Sequence, residues 1–372
     1  MKAVIAAGGT AGHINPALAI ADEILRSEPD SEIVFMGRED GMEKRLVTSR
    51  GFRLVPIDVW GFMRSFKPED IKFNLNSLKL IVKSSFEARR FLREFKPDIV
   101  IGCGGYVSGP VVFQASLMGI KTAIHEQNSF PGVTTRILSR FVDLILAPNE
   151  DAKDKIGKPD KTVVVGNPVS RAVLEADRNA AREKLGVGER TCILSFGGSL
   201  GARVINDLVA RMFLKCKGRD DIFFIHATGG YDTSTFPSEL EKEGVSLNDL
   251  PCRVSVYIDD MPDCLAASDL VVSRSGAITI SELAVAGKAS YLIPSPNVAE
   301  NHQYYNALTL SSRGAAVLEE EKDMEPDRTA EKIIALAEDS DRLTEMGKAA
   351  KGIAAPEASA VIYEKIKELM RG

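Results

Sequence analysis

Four glycine-containing turns carry the first chemical signal in the sequence. Three of them follow short apolar runs, at 8–13 (GGTAGH), 102–105 (GCGG) and 197–201 (GGSLG). Glycine lets the main chain approach a ligand closely, and the start of a following helix offers N–H groups to an anion. The fourth turn, 273–276 (SRSG), precedes a predicted helix over 277–286. Together the turns predict sites for phosphate-bearing ligands at the carboxyl ends of parallel strands.

Three ionisable side chains near these turns could take part in chemistry. His13 ends the first turn, and imidazole exchanges a proton near neutral pH. Glu126, which follows His125 and lies two residues before Asn128, is a competing general base. The sequence leaves the choice between His13 and Glu126 open. Glu282 lies in the helix after the fourth turn, where a carboxylate can accept hydrogen bonds from two adjacent hydroxyl groups.

Several other motifs are absent or poorly supported. No turn has the P-loop pattern G-x-x-x-x-G-K-[ST], and the first turn is not the G-x-G-x-x-G of dinucleotide-binding folds. The turn at 197–201 matches the nucleophile elbow of hydrolases, with an aspartate in 259–263 and His302 as possible partners. A hydrolase, however, leaves the first half of the chain without a function. Asp339 and Asp341 form a D-x-D sequence, which we interpret as a solvated helix face and not as a metal site. No cofactor is expected.

The elements that must position these turns follow from hydrophobic periodicity. Strand-length apolar runs alternate with helix-period segments, six runs in the first half and five in the second. Each half therefore predicts its own doubly wound α/β domain, with a hinge at Gly166-Asn167-Pro168. Asn15 and Pro16 predict the start of the helix after the first turn.

Size and composition agree with two ordered domains. The chain has 372 residues, 44% hydrophobic and 27% charged, and is longer than one hydrophobic core usually supports. Its five cysteines form no C-x-x-C pair and no disulfide framework, which favours a reducing cytosol. No apolar run reaches the ~18 residues of a membrane-spanning helix. A net charge of −5, concentrated in the second half, disfavours nucleic acid as a partner.

Residues 60–96 stand out because basic and large apolar side chains are interleaved there. Nine Lys and Arg residues occur against four acidic ones. Cations beside exposed apolar groups suit an anionic membrane surface. The alternative is an amphipathic helix whose apolar face is buried in the core. The residues predicted to contact a membrane are Trp60, Phe62, Lys67, Lys72, Lys79 and Lys83.

Seven segments occur in a characteristic order along most of the chain. They are GGTAGHINP from residue 8, HEQNSFPG from 125, VGNPV from 165, FGGSLGAR from 196, YIDDM from 257, SRSGAITISELAVAG from 273 and NHQYYNA from 301. In these segments the sequence resembles the MurG glycosyltransferases. The HEQN and SRSGA strings are the most specific, whereas each glycine turn alone is not.

The resemblance implies a GT-B fold, in which two doubly wound Rossmann-like domains face each other across a cleft. It implies inverting, metal-independent transfer of N-acetylglucosamine from UDP-N-acetylglucosamine to lipid I, giving lipid II for peptidoglycan synthesis, and hence for cell shape and division. The implied partners are UDP-N-acetylglucosamine, an undecaprenyl-diphosphate-linked muramyl peptide and an anionic membrane surface, at the cytoplasmic face of the bacterial plasma (inner) membrane.

The expected domains are an acceptor- and membrane-binding domain over 1–165, a UDP-sugar-binding domain over 166–345, and a last helix within 346–372 that packs back on the first domain. Two alternatives stay open. One is another GT-B enzyme, with a different lipid-linked acceptor or with UDP-sugar epimerase activity. The other is a catalytically inactive nucleotide-sugar-binding protein.

The resemblance also assigns site residues. His13 and Glu126 are the catalytic candidates, and Gly9, Gly104, Gly105 and Tyr106 are expected to bind the acceptor diphosphate. The expected UDP-N-acetylglucosamine site comprises Thr10, Ala11, Gly12, Asn128, Arg171, Ser199, Ile258, Ala277, Ile278, Thr279, Ile280, Ser281, Glu282, His302 and Gln303. The sequence departs from the family at two of these positions. His302 stands where a second glutamine is common, and Arg171 comes one residue later than the arginine of the usual Asn-Pro-Val-Arg.

Overall fold

A computed structural model describes residues 1–61, 67–198, 200–230, 235–242 and 244–371. The chain divides into two compact units. The first comprises Met1–Ser170 together with Glu357–Gly372, and the second comprises Arg171–Pro356. Phe62 and Ser199, two of the predicted site residues, lie outside the described residues.

The first unit is built on a parallel sheet. Its elements in the described ranges are β1 (Lys2–Ala6), α1 (Ala11–Ser27), β2 (Glu32–Gly37), α2 (Met42–Ser49), β3 (Arg53–Pro56), α3 (Pro68–Phe95), β4 (Ile99–Gly102), α4 (Gly105–Leu117), β5 (Lys121–His125), α5 (Val133–Leu138), β6 (Leu144–Ala147), α6 (Glu150–Ile156) and β7 (Thr162–Val164). The strand order is β3-β2-β1-β4-β5-β6-β7. The central strands are buried on both faces because helices cover the sheet from either side.

The second unit repeats the architecture. Its described elements are α7 (Arg171–Glu175), α8 (Arg178–Leu185), β8 (Thr191–Phe196), α9 (Arg203–Lys215), β9 (Ile222–Ala227), α10 (Thr235–Lys242), β10 (Cys252–Ser255), α11 (Met261–Ala267), β11 (Leu270–Ser273), α12 (Ala277–Ala286), β12 (Ala289–Leu292), α13 (His302–Ser311), β13 (Ala316–Leu318), α14 (Pro326–Glu338) and α15 (Ser340–Lys351). The parallel strands are ordered β10-β9-β8-β11-β12-β13. The predicted α/β fold with two doubly wound domains is therefore confirmed.

The last helix, α16 (Ala358–Arg371), returns to the first unit. Ile362 and Ile366 are fully buried in the core that α1 also lines. Tyr363 donates a hydrogen bond to Glu28 at the end of α1, and Lys367 pairs with the same carboxylate. These contacts lower the pKa of Glu28 to about 2 and fix the helix on the first unit.

Two details of the sequence prediction were wrong. Helix α1 begins at Ala11, four residues before Asn15, because the chain turns into the helix directly after the extended Thr10. Pro16 therefore lies inside the helix rather than at its start. The edge strands β3 and β13 were missed because each is short and only partly buried, which weakens the hydrophobic signal.

Candidate active site

The first glycine turn brings His13 against the loop after β5. Nδ1 of His13 lies 3.0 Å from the side-chain oxygen Oε1 of Gln127. The turn follows β1 and Gln127 follows β5, and both strands end at the same edge of the parallel sheet. Gly104, after β4, has φ +92, and a Cβ there would collide with the His13 ring. Three neighbouring strand ends thus build one half-buried polar site.

Gln127 is buried, and its amide NH2 group faces three acceptors. Its Nε2 lies 3.0 Å from the Cys103 carbonyl oxygen, 3.0 Å from the His125 carbonyl oxygen and 2.9 Å from Nδ1 of His125. His125 is buried as well, and its Nε2 lies 3.2 Å from the Gly166 carbonyl oxygen. Burial lowers the pKa of His125 to about 4, so this imidazole is neutral at physiological pH.

Glu126 has a different environment from His13. Oε1 accepts hydrogen bonds from the main-chain N–H groups of Gln127 and Asn128 and from the Asn128 amide. Oε2 accepts from the Gly132 N–H and from the Thr135 hydroxyl. Both oxygens of this buried carboxylate are therefore occupied by the loop and by the start of α5. The geometry favours a structural role for Glu126 and leaves His13 as the better-placed base.

The residues predicted to bind the acceptor diphosphate surround the same strand ends. The Gly9 N–H donates to Oε1 of Glu43 at 2.8 Å, so in this structure it is not directed to a phosphate. Gly105, with φ +76, packs so closely on Gly8 that any side chain would strike the Gly8 carbonyl oxygen. Tyr106 is half exposed and packs beside Gly61.

Glu43 is a site residue that the sequence analysis missed. It lies in the first turn of α2 and is almost fully buried, and within the described residues its Oε2 has no hydrogen-bond partner. Its carboxylate fits between Gly8 and Gly41, where a Cβ at either glycine would collide with it. In the sequence, the signal for this role was that Glu43 begins a helix directly after Gly41 and that Gly8 lies in another glycine turn.

We expect Gly41→Ala to destabilise the protein by about 1–2 kcal/mol, because the new methyl group displaces Glu43 from the Gly9 N–H. In a Glu43→Ala background the same substitution should be nearly neutral. Urea unfolding of the four proteins in this double-mutant cycle measures the coupling. Gly109→Ala, where the nearest atom to a new Cβ is the Thr134 methyl carbon at an ordinary contact distance of 4.0 Å, is the control. Equal effects of Gly41→Ala in both backgrounds would contradict this packing.

The second unit places its predicted residues around the start of α12. The first hydrogen bond inside this helix runs from the Ile280 N–H to the Gly276 carbonyl oxygen. The N–H groups of Ala277, Ile278 and Thr279 precede it and have no acceptor within the helix. The side chains of Ile258, Ile278 and Ile280 are buried, so contacts from them to a ligand would involve the main chain. Ser281 hydrogen-bonds to the Ala277 carbonyl oxygen.

Glu282 lies on the second turn of α12. Burial raises the pKa of its carboxyl group to about 7, against an ordinary value of 4.5. No hydrogen bond or cation is among the causes of this shift, which is desolvation alone. Hydroxyl groups of a ligand that donate hydrogen bonds to this desolvated carboxylate would stabilise its charged form.

The loop before α13 completes this part of the site. Gln303 accepts the Ser295 N–H through Oε1 at 2.9 Å, and its carbonyl oxygen accepts the Ser275 hydroxyl at 2.8 Å. Glu300 and Asn301 both adopt left-handed backbone conformations immediately before His302. Consecutive non-glycine residues in this region store strain, which concentrates at functional sites. His302 is half-buried on the first turn of α13.

The remaining predicted residues are divided between the two units. Thr10, Ala11, Gly12 and Asn128 belong to the first unit, whereas the other predicted UDP-N-acetylglucosamine residues belong to the second. Arg171 begins α7, and its guanidinium donates to Glu175 one turn later at 2.6 Å. For the hydrolase alternative, Asp260 is committed to a two-fold ion pair with Arg253. Asp339 of the D-x-D sequence caps α15.

From Ile71 to Phe86, helix α3 has most of its large apolar side chains on the outside. Between residues 71 and 88 its buried positions are the small residues Ser77, Ser84 and Ala88, with Ile81 partly buried, whereas nearer its end Leu92 is buried in the core. The exposed apolar residues are Ile71, Phe73, Leu75, Leu78, Val82 and Phe86, with Lys72, Lys79 and Lys83 between them. We call these nine residues the α3 surface. Trp60 extends it, since its ring is partly exposed and meets Phe73 edge-on. No helix in the described ranges has the length and apolar content for crossing a membrane.

Comparison with known proteins agrees with these features. Residues 3–147 match the glycosyltransferase family 28 N-terminal domain, and residues 192–362 match the glycosyltransferase family 28 C-terminal domain. The fold and the sites at its strand ends thus define a glycosyltransferase of the GT-B class. The crystal structure of Acinetobacter baumannii MurG superposes with a TM-score of 0.74 at 27% identity, covering 99% of both chains.

Sequence relatives define the family more narrowly. The UDP-N-acetylglucosamine–N-acetylmuramyl-(pentapeptide) pyrophosphoryl-undecaprenol N-acetylglucosamine transferase of Acetivibrio thermocellus is 44% identical, over 100% of this chain and 99% of its own. The Clostridioides difficile enzyme of the same name is 41% identical, over 99% of this chain and 89% of its own. The chain belongs to the MurG family of glycosyltransferases. A UDP-GlcNAc 2-epimerase from Neisseria meningitidis, at 16% identity and a TM-score of 0.67, shares the fold alone.

Proposed function

We propose that this protein transfers N-acetylglucosamine from UDP-N-acetylglucosamine to lipid I, the pyrophosphoryl-undecaprenol-linked N-acetylmuramyl pentapeptide, and so forms lipid II. The observation that carries the proposal is the full-length identity of 44% to a transferase with this name. The similarity extends over both units. The protein is therefore an enzyme of peptidoglycan synthesis.

The donor side of the proposal rests on α12 of the second unit. The N–H groups of Ala277 to Thr279 and the positive end of the helix dipole bind the diphosphate and stabilise it as the leaving group. Glu282 accepts hydrogen bonds from the two ribose hydroxyls. Gln303 and His302, at the start of α13, contact the diphosphate or the sugar. Because the helix supplies the positive charge, the reaction does not require a divalent metal ion.

The acceptor side rests on His13 of the first unit. As the acceptor hydroxyl oxygen bonds to C1 of N-acetylglucosamine, its proton passes to the imidazole, and the bond from C1 to the diphosphate oxygen breaks. Attack opposite the departing diphosphate inverts the configuration at C1. Glu126 shapes the loop that carries Asn128 and Gln127, and the acceptor diphosphate binds near the turn at Gly104 and Gly105, before α4.

The experiment that tests this function follows the sugar itself. Protein, sugar-labelled UDP-N-acetylglucosamine and a short-chain lipid I analogue are incubated with EDTA, and the lipid product is isolated. We expect label in the lipid and, by NMR, an anomeric configuration opposite to that of the donor. Retained configuration, or transfer that EDTA abolishes, would contradict the proposed mechanism.

We propose further that the α3 surface contacts the cytoplasmic face of the membrane, where a lipid-linked acceptor is available. An ordinary amphipathic helix buries its large apolar residues, whereas α3 between residues 71 and 88 buries Ser77, Ser84 and Ala88 and exposes Phe86 at 69% and Leu75 at 59%. The lysines among them add electrostatic attraction to anionic lipid, about 1 kcal/mol each near the surface. Lys67, just before α3, is exposed and extends the basic region.

Replacing Leu75 and Leu78 together by serine should weaken binding to phosphatidylglycerol-containing vesicles by about tenfold or more, since each leucine loses about 1 kcal/mol of apolar burial. Co-sedimentation with the vesicles measures the change. The control pair is Leu174→Ser with Val361→Ser, which removes two exposed apolar side chains elsewhere. Equal vesicle binding by the test pair and the control pair would exclude the α3 surface as the contact.

A further inference from the structure

The side chain of Gln127 can be oriented in only one way. Its Nε2 end faces two main-chain carbonyl oxygens, those of Cys103 and His125, each at 3.0 Å. Carbonyl oxygens only accept hydrogen bonds, so the amide NH2 must be at this end. With the amide reversed, two oxygen–oxygen contacts at hydrogen-bond distance would replace two hydrogen bonds in a site without solvent access.

His125 supports the same orientation independently. Its Nε2 faces the Gly166 carbonyl oxygen and must therefore carry a proton. Since His125 is neutral, its Nδ1 has a lone pair, and this nitrogen lies 2.9 Å from Nε2 of Gln127. Every group at the NH2 end is thus an acceptor. The hydrogen bonds form a chain with one direction, from His13 through Gln127 and His125 to Gly166.

The other end of the amide determines the state of His13. Oε1 of Gln127 accepts only, so Nδ1 of His13 must donate across the 3.0 Å that separates them. The two side chains pack directly against Gly104, which has no side chain. A Cβ at that position would strike Nδ1 of His13 and approach Oε1 of Gln127. In the neutral imidazole the proton is therefore on Nδ1, and the lone pair is on Nε2.

We infer that Gln127 is a positioning residue that fixes the Nδ1-protonated tautomer of His13 and leaves Nε2 of His13 to receive the proton of the acceptor hydroxyl. The inference rests on the proposed transferase function for the identity of that hydroxyl. The tautomer itself follows from the hydrogen bonds alone. Proton transfer gives a cation with both ring nitrogens protonated, and Oε1 of Gln127 stabilises it because it already accepts the Nδ1 proton.

The direct test is the tautomer of His13 in the unchanged protein. The chain has four histidines, so long-range 1H–15N spectra at pH 8 resolve each ring once His13→Gln identifies one signal set. We expect Nδ1 of His13 to be protonated and Nε2 to be unprotonated. A predominantly Nε2-protonated His13 would overturn the inference without any Gln127 variant. This readout does not depend on turnover, so a failure of the transferase assignment is recognised separately, by absence of product from the unchanged protein.

Gln127→Leu provides the kinetic test. We expect the Nδ1-protonated form to lose its dominance and kcat to fall by about 10–100-fold, a part of the usual general-base contribution. The Kd for UDP-N-acetylglucosamine should be unchanged, and adding Gln127→Leu to His13→Ala should cost no further activity. Gln114→Leu, on α4, is the matched control. An unaltered His13 tautomer in a folded Gln127→Leu protein, or full additivity with His13→Ala, would overturn the proposed role.

Discussion

In the His13→Ala variant we expect kcat for sugar transfer to fall by about 10²–10⁴-fold, the range that a general base contributes. The acceptor hydroxyl then has no group to receive its proton at the start of α1, since both oxygens of Glu126 are held by their own loop. Binding of UDP-N-acetylglucosamine should stay unchanged, because the donor residues proposed on α12 and α13 are intact. Steady-state kinetics and calorimetric titration measure the two quantities.

The control for His13→Ala is Arg26→Ala, at the exposed far end of the same helix, with a substitution to the same residue. It reports any general effect of altering α1. A His13→Ala protein that is folded and keeps more than about a tenth of its kcat would exclude His13 as the base, given the size of a general-base contribution. Glu126 would then be the remaining candidate for the base, despite its five hydrogen bonds.

Glu282→Gln should change binding and stability in opposite directions. Glutamine keeps the shape of the side chain but loses the charge, so the Kd for UDP-N-acetylglucosamine should rise about 10–100-fold, as expected for loss of charge-assisted hydrogen bonds. At pH 8 the free energy of unfolding should rise by about 1–2 kcal/mol. This is less than the full pKa shift implies, because the side chain keeps some exposure to solvent.

The pH dependence of this stability follows from the raised pKa of Glu282. Between pH 4.5 and about 7 the folded protein binds a proton that the unfolded chain releases. The contribution of this group to the free energy of unfolding is therefore greatest below pH 4.5, falls as pH rises, and levels off above about 7. The Glu282→Gln protein lacks this dependence, and it should show no pH dependence of donor affinity in the same window.

Urea unfolding and calorimetry between pH 5 and 8 test both parts of the Glu282 prediction. Glu345→Gln, an exposed carboxylate on α15, is the control and should alter neither property. Donor affinity equal to that of the unchanged protein would remove Glu282 from the ribose site. If the variant had a lower free energy of unfolding than the unchanged protein at pH 8, the charged carboxylate would have stabilising contacts. This would contradict the desolvated environment described above.

Much of the fold could be predicted because its strands are buried on both faces and read as continuous apolar runs. The edge strands could not, since β3 and β13 bury one side at most and are three or four residues long. The start of α1 was misplaced because Pro16 is typical of a helix beginning. In the protein the turn geometry at Gly9 and Thr10 starts the helix first.

For the site as well, the sequence indicates candidate residues, whereas their contacts are known only from the structure. His13, Glu126 and Glu282 could be selected from residue type and position, but the five donors around Glu126 become visible only when the loop and α5 are folded together. Gln127 lies in the HEQN segment between two residues that were selected. Its role depends on which atoms face the oxygen and the nitrogen of its side-chain amide. Residue spacing in the sequence does not predict those contacts.

For α3 the sequence did contain a signal that separates the two interpretations. In the first part of the helix Ser77, Ser84 and Ala88 are the buried residues, beside the partly buried Ile81, and these small side chains give that face less apolar surface than an ordinary core stripe has. Most of the large apolar residues between 71 and 86 then lie on the other faces. The structure places them there, with the lysines among them.

The central claim, that the protein transfers a sugar rather than merely binding or epimerising its nucleotide donor, is tested most directly by UDP release. UDP is followed continuously from UDP-N-acetylglucosamine, with and without a short-chain lipid I analogue. We predict that release requires the acceptor and saturates with it. No release under any acceptor concentration would indicate a binding protein, and acceptor-independent consumption of the donor would indicate an epimerase or hydrolase; either result would contradict the assignment.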